Sequence, residues 1–246
     1  MIAYRMTVAY DGTDYAGWQE QPKLPTVAGE LQKTFFATFG HAIKVVGASR
    51  TDAGVHALGQ ECRFLTTFKL DPDRMMRAWN GALPKDIRIR KLCVAQPGFH
   101  PHRHIAQKTY FYYISLRQPL PLVQRYCVFV EKLNVKTLRS ALALMVGTHD
   151  FRPLATDIDA QAHTIKTIDA VAVTYIPLQH MVRIAIRGKS FLRSMVRRMV
   201  GAAIYAAQNK CSLDDIDRIL KQTIIDNHLP TAPARGLILA RVLYTK

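Results

Sequence analysis

Apolar and polar side chains alternate at the start of the chain, with Tyr4, Met6, Val8 and Tyr10 separated by Arg5, Thr7 and Ala9. A period of two sends successive side chains to opposite faces of an extended backbone. A strand is therefore predicted, ending at the turn-forming pair Asp11-Gly12. From Val27 the period changes: Val27, Leu31, Phe35, Phe36 and Phe39 recur at helical intervals, with Thr26 placed to cap and Gly40 to stop the helix. Ile43 to Val46 and Glu61 to Leu65 read as strands that bracket the segment holding Asp52. Pro72 to Leu83 reads as a second helix with proline in its first turn, and Ile87 to Val94 as a further strand.

The run Gln96-Pro97-Gly98-Phe99-His100-Pro101 interrupts this pattern, and a domain boundary is placed there. Beyond it, Tyr110 to Ser115 is strand-like and Val135 to Val146 helical, while Ile168 to Tyr175 and Met181 to Ile186 form a pair of strands joined across Pro177. A long helix is predicted from about Phe191 to Ala207, and another from Ser212, where Asp215 completes a capping-box spacing. A last strand runs from Leu237 to Tyr244. Both halves mix strands and helices in a similar order. The expected fold is α+β, two related lobes side by side, residues 1–104 and 105–246, with a groove between them for a ligand.

Composition narrows the class. The chain has 246 residues, 49% of them hydrophobic, enough for a sizeable core. Lys and Arg number 34 against 18 Asp and Glu, a formal charge of +16. The basic residues are spread along apolar-patterned segments such as Phe191 to Arg198 and form no terminal tail. This favours a folded, phosphate-neutralising surface over a disordered arm, and nucleic acid over a membrane. No stretch of about 18 apolar residues occurs, and Met1 to Tyr10 lacks the charged and apolar regions of a signal peptide. Cys62, Cys93, Cys127 and Cys211 are far apart with no C-x-x-C pair, so structural zinc is not expected and a reducing, cytoplasmic setting is.

Arg50-Thr51-Asp52-Ala53-Gly54 joins two predicted strands. Two residues apart in extended backbone, Arg50 and Asp52 leave the same face, so a cation and a carboxylate address one cleft. An isolated Arg-x-Asp is ordinarily a solvated turn. Here it is accompanied by Tyr10-Asp11-Gly12-Thr13-Asp14-Tyr15-Ala16-Gly17-Trp18-Gln19, a glycine-flexed loop bearing aromatic and polar groups suited to unpaired bases. Asp11, Trp18 and Gln19 are secondary candidates for lining the site.

These residues carry a resemblance to a known family. Tyr10-Asp11-Gly12 with Gly17-Trp18-Gln19, Arg50 to Ala57 with Gly59-Gln60, Asn80 with Leu83-Pro84 and Asp86-Ile87, Phe99-His100, Tyr110, Gly147 with His149-Asp150-Phe151, Phe191 with Met195-Val196-Arg197 and Gly201, and Thr231-Ala232-Pro233 with Gly236-Leu237 run in order over nearly the whole chain. Together they closely resemble the tRNA pseudouridine synthase A family, and Arg-Thr-Asp-Ala-Gly-Val-His is the most specific string among them.

The resemblance implies two α+β lobes with a continuous, mainly antiparallel sheet, helices packed on it, and an active-site cleft between the lobes. It implies a homodimer with tRNA contacting both subunits, and isomerisation of uridines 38, 39 and 40 of the anticodon stem-loop with no cofactor and no metal. It makes Asp52 the essential carboxylate, as nucleophile or base. It also implies that Arg50 displaces the target base, that Tyr110 stacks on the uracil and that Arg197 pairs with the carboxylate. Phe191 is expected to wall the pocket.

Two positions depart from the family pattern: Ser49 stands where Gly is usual, and His102 where Arg is common. His100, His102 and His104 alternate and would share a strand face. With no nearby Cys or acidic triad they are read as phosphate- or solvent-facing, not as metal ligands. A noncatalytic RNA-binding module explains the charge and the aromatics but not Arg50 with Asp52. Zinc-dependent base deamination lacks H-x-E and P-C-x-x-C, and an enzyme of free nucleotides lacks a P-loop.

Overall fold

A computed structural model of the chain describes residues 1–159, 161, 163–221 and 228–245. The fold is α+β, and the described residues form mostly antiparallel sheet and five α-helices. The chain divides into two compact units, 1–106 with 238–246, and 107–237.

In the first unit β1 (Ile2–Tyr10) lies between β3 (His56–Thr66) and β4 (Ile87–Val94), antiparallel to both. The short β2 (Val46–Gly47) pairs with β3. The C-terminal strand β10 (Leu237–Tyr244), which the sequence pattern groups with the second lobe, runs parallel to β3 through Ile238 and Leu239. Residues 238–246 belong to the first unit. Tyr4, Met6 and Val8 face helices α1 (Val27–Phe39) and α2 (Pro72–Ala82), and all are buried. The core there is aromatic: Phe35 and Phe64 meet Trp79 edge-on at 4.8 and 5.4 Å, and Trp79 Nε1 donates to Thr34 Oγ1 at 3.0 Å.

The α1 boundaries are those the pattern predicts. Thr26 Oγ1 accepts the Gly29 N–H, and Gly40 closes the helix in the left-handed region at φ 72°. On α2, Asn80 clamps the neighbouring strand, its side-chain amide giving to and receiving from the Ile89 backbone at 2.8 Å each way. On the other face of this sheet, the Arg5 guanidinium lies over the rings of Phe99 and Tyr244, 4.9 and 4.8 Å from their centres, while its Nε reaches Glu61 at 2.7 Å.

His100, His102 and His104 do not share a strand face. They lie in a turn before β5 (Ile105–Ser115), with His104 at φ 56° and its carbonyl taken by Thr245 N–H. The His102 N–H donates to His100 Nδ1, and burial followed by the nearby Arg63 and Arg103 pushes the His100 imidazole below its usual range. Among the described residues no group of three His, Cys, Asp or Glu is arranged to hold a metal ion.

In the second unit β5, β9 (Met181–Gly188), β8 (Ile165–Ile176) and β7 (Gly147–Asp150) form an antiparallel sheet in that order, and β6 (Val128–Phe129) pairs parallel to β5. Tyr112 and Ile114 of β5 stand in register with Ile184 and Val182 of β9, all buried. Helices α3 (Val135–Ala143), α4 (Met195–Ala207) and α5 (Leu213–Leu220) belong to this unit. Ser212 and Asp215 form the capping box expected at the start of α5. Helix α4 starts at Met195, later than predicted, because Ser194 at φ 55° precedes it in the left-handed region. Phe191 is therefore a loop residue and not part of a helix. No helix among the described residues is long and apolar enough to cross a membrane.

Candidate active site

Asp52 is the half-buried member of an irregular segment between β2 and β3, and Arg50 is exposed. Strand β2 spans two residues rather than Ile43 to Val46, and residues 50–52 are not extended sheet, so strand alternation does not govern where Arg50 and Asp52 point. The loop is shaped by its fastenings instead. Upstream, Gln60, wholly buried on β3, takes the Ser49 N–H at 3.1 Å and gives its own amide to the Ser49 carbonyl at 2.6 Å. Its side chain does the work of a missing strand partner. At Ser49, where glycine is usual in the family, the hydroxyl is buried with no hydrogen-bond partner among the described residues.

Downstream, the loop between β1 and α1 forms a cradle. Trp18 N–H donates to the Thr51 carbonyl at 3.1 Å, Gly54 N–H to the Tyr15 carbonyl at 3.3 Å, and Gly12 N–H to His56 Nδ1 at 3.1 Å. Tyr10 and Thr51 join hydroxyls at 2.7 Å. Val55 N–H closes a turn on the Asp52 carbonyl at 3.2 Å. Two glycines allow this closeness. A Cβ on Gly12 would run into the Val55 carbonyl, and one on Gly17, at φ 99°, would lie 2.7 Å from the Thr51 oxygen.

The cradle is itself braced. Asp11 Oδ1 holds Thr13 N–H at 3.0 Å and lies 3.0 Å from His56 Nδ1. The Tyr15 hydroxyl donates to Asp86 at 2.8 Å, and burial together with that carboxylate pushes the phenol well above its ordinary range. Trp18 lies flat against Gly47, where no side chain fits. Asp11 and Trp18 thus shape the loop that carries Asp52.

In the second unit, Tyr110 and Phe191 meet edge-to-face, 5.2 Å between centres at 86°. Tyr110 faces Ile186 across β5 and β9, and Phe191 folds back onto Gly188, where a Cβ would come 3.1 Å from its ring. The two aromatics form one wall. Lys108, two residues before Tyr110 and on the same strand face, is pushed down to about 8 by burial.

Arg197, on the first turn of α4, is oriented by a strap of extended chain. Its Nε donates to the Ala232 carbonyl at 2.9 Å, and Ala232 N–H returns a bond to the Arg197 carbonyl at 3.1 Å. One turn further, Gly201 leaves no Cβ to collide with the Pro230 carbonyl, so the strap lies directly on the helix. Its far end is secured by the Tyr112 hydroxyl, which donates to the Pro233 carbonyl at 2.9 Å, and by Gly236 packed on the Tyr112 ring.

These constructions, an aspartate loop in a glycine-lined cradle, an aromatic wall and an anchored arginine, are built from the stretches that carry the sequence resemblance. Residues 6–100 and 141–245 match the family described as tRNA pseudouridine synthase. The chain belongs to that family. It is 34% identical to tRNA pseudouridine synthase A of Thermodesulfovibrio yellowstonii, over 99% of this chain and 100% of that protein. It is 36% identical to the protein of the same name from Geobacillus sp. (strain WCH70), over 98% and 97% of the two chains. With tRNA pseudouridine synthase A 1 of Protochlamydia amoebophila the identity is 33%, over 99% and 97%. As a member of the tRNA pseudouridine synthase family the chain is an isomerase that converts uridine to pseudouridine.

Sequence reading included Thr51, Gln60 and Thr231-Ala232-Pro233 in the resemblance but gave them no part in holding the Asp52 loop or in orienting Arg197. The signals were present as Gly12, Gly17, Gly59, Gly201 and Gly236, and four of these glycines stand where a Cβ would meet backbone.

Proposed function

We propose that this chain isomerises uridine to pseudouridine at positions 38, 39 and 40 of the tRNA anticodon stem-loop, with Asp52 as the essential nucleophile or base. In the reaction the N1–C1′ bond breaks, the uracil turns, C5 bonds to C1′, and the proton lost from C5 is balanced by one gained at N1. There is no net oxidation or reduction, so the side chains need only open the glycosidic bond, hold the freed base and move one proton.

The observation that carries the reading is the Asp52 loop, a half-buried carboxylate on backbone fastened on both sides. Such fastening suits a group that must meet one atom of a large substrate at a fixed distance. Tyr110 with Phe191 supplies the face on which the base stacks, edge contact from Phe191 holding the tyrosine ring in place. Arg197 is the partner of the Asp52 carboxylate, and Arg50, exposed next to it in sequence, displaces the target base and holds phosphate. The chain works as a cytoplasmic homodimer with tRNA contacting both subunits. The formal charge of +16 supplies the attraction.

The test is release of tritium to water from tRNA carrying C5-labelled uridine, with no added metal or cofactor. Wild type releases it, and Asp52→Asn abolishes release while tRNA binding persists. If wild type binds tRNA but releases nothing, the chain is a binding module. Full release by Asp52→Asn removes Asp52 from its role. Mapping the product in the anticodon arm decides the positions.

A further inference from the structure

Thr51, the residue before Asp52, is held through both its backbone and its side chain. Its carbonyl accepts the Trp18 N–H at 3.1 Å, and its side-chain oxygen lies 2.7 Å from the Tyr10 hydroxyl. Tyr10 and Thr51 are 5% and 8% exposed, so the hydroxyl pair is shielded from competing water. Tyr10 reaches this point because the ladder slips beside it. Val8 pairs with Gln60 but Tyr10 with Ala57, so two steps along β1 match three along β3. Bulges of this kind re-aim a side chain next to a site. The ring is further seated against Trp18, 6.0 Å between centres, and Trp18 in turn lies on Gly47.

Just downstream of Asp52, Gly54 and Val55 are held by main-chain bonds, Gly54 N–H to the Tyr15 carbonyl and Val55 N–H to the Asp52 carbonyl. Upstream, a side-chain bond adds to the main-chain one. The peptide between Thr51 and Asp52 sets where the Asp52 Cβ points. Anything that fixes Thr51 therefore aims the carboxylate.

We propose that Tyr10 and Thr51 are positioning residues for Asp52: their shared hydrogen bond fixes the direction of the carboxylate and contributes to turnover without touching the RNA. This rests on the reading of Asp52 as the essential carboxylate. Freed of the bond, the loop keeps its main-chain fastenings and stays folded, but the carboxylate ranges over a wider arc. Displacement by about 1 Å costs on the order of 100-fold in rate.

The experiment is a double-mutant cycle in the full-length protein with Tyr10→Phe, Thr51→Val, the double variant, and Thr51→Ser as the conservative control. For each, kcat, KM for tRNA and Tm are measured. Tyr10→Phe leaves the buried Thr51 hydroxyl without this partner and lowers Tm, and adding Thr51→Val removes the stranded group and restores part of the loss. The expected result is that each single variant loses about 10- to 100-fold in kcat with KM within about twofold of wild type. The double variant loses no more than either single one, and Thr51→Ser stays within about threefold of wild type. A kcat that recovers in the double variant along with Tm overturns the proposal, because the pair then serves stability alone. So do losses that multiply in the double variant, single variants with wild-type kcat, or an effect confined to KM. Failure of the underlying reading is seen separately, as activity in Asp52→Asn with Tyr10 and Thr51 intact.

Discussion

A Cβ on Gly12 runs into the Val55 carbonyl, and that carbonyl belongs to the turn that closes on Asp52. Neither backbone can retreat without releasing the other. Gly12→Ala is expected to cost more than about 1 kcal/mol and to lower Tm by at least about 2–4 °C in a chain of this size, with loss of turnover, which thermal melting and the tritium assay measure together. Ser49 is the opposite case. Its buried hydroxyl has no partner among the described residues, while its backbone is held by Gln60 whatever the side chain. Ser49→Ala removes that unsatisfied group and is expected to raise stability by about 1 kcal/mol, read as a higher denaturant midpoint with an unchanged m-value. The string around Asp52 was legible as a motif because it is contiguous. Tyr10 was not, since its partner is 41 positions away and nothing near Tyr10 in sequence announces it.

Elements whose ends are chemically marked were readable to the residue. Helix α1 runs between a Thr cap and a left-handed Gly, and α5 starts on a capping box, because these signals satisfy backbone groups from within the segment. Strand β2 starts only at Val46, and the Val45 N–H before it is taken by the Gln32 side chain of α1 rather than by a strand, a bond that periodicity does not register. Helix α4 begins after Phe191 because Ser194 turns left-handed, a conformation that serine does not advertise. The Asn80 clamp on Ile89 shows one element depending on another. Asn80→Ala strips two hydrogen bonds from the β4 backbone and is expected to destabilise by about 1–3 kcal/mol. Amide exchange should quicken first in 87–94, and unchanged exchange there would sink the idea.

For the molecule as a whole, alkaline pH reads out burial. Tyr15, Tyr112 and Tyr244 are raised above the ordinary value of 10.0, in each case chiefly by burial. A group whose folded pKa is raised holds its proton longer in the native state, so the stability it contributes is intact below pH 10 and is lost as pH rises above 10 through the raised folded value. Lys108 has the opposite sign. Lowered from 10.5 to about 8, it has already lost its proton in the folded state while the unfolded chain still binds one, so its unfavourable contribution fades across that window. The three tyrosines outweigh it above pH 10. Titration at the tyrosinate absorbance should show part of the signal of the chain's 10 tyrosines appearing only together with loss of far-ultraviolet ellipticity. A smooth titration of all of them before unfolding would contradict the burial.

The amino-acid order by itself determined the α+β class, most helices and strands, and the family to which the chain belongs, because periodicity, caps and contiguous motifs are short-range properties of the chain. Tertiary structure alone decided that the C-terminal strand joins the first unit, that Tyr110 and Phe191 share a wall, and that Arg197 is aimed by Ala232. It also decided how Asp52 is held. The seven-residue string marks the segment that holds Asp52, but the backbone upstream of Asp52 is tied down by Tyr10 and Trp18 at Thr51 and by Gln60 at Ser49. The first and last of these reach it through side-chain hydrogen bonds between residues distant in sequence, whose energy depends on distance and burial, and neither is written in a local pattern.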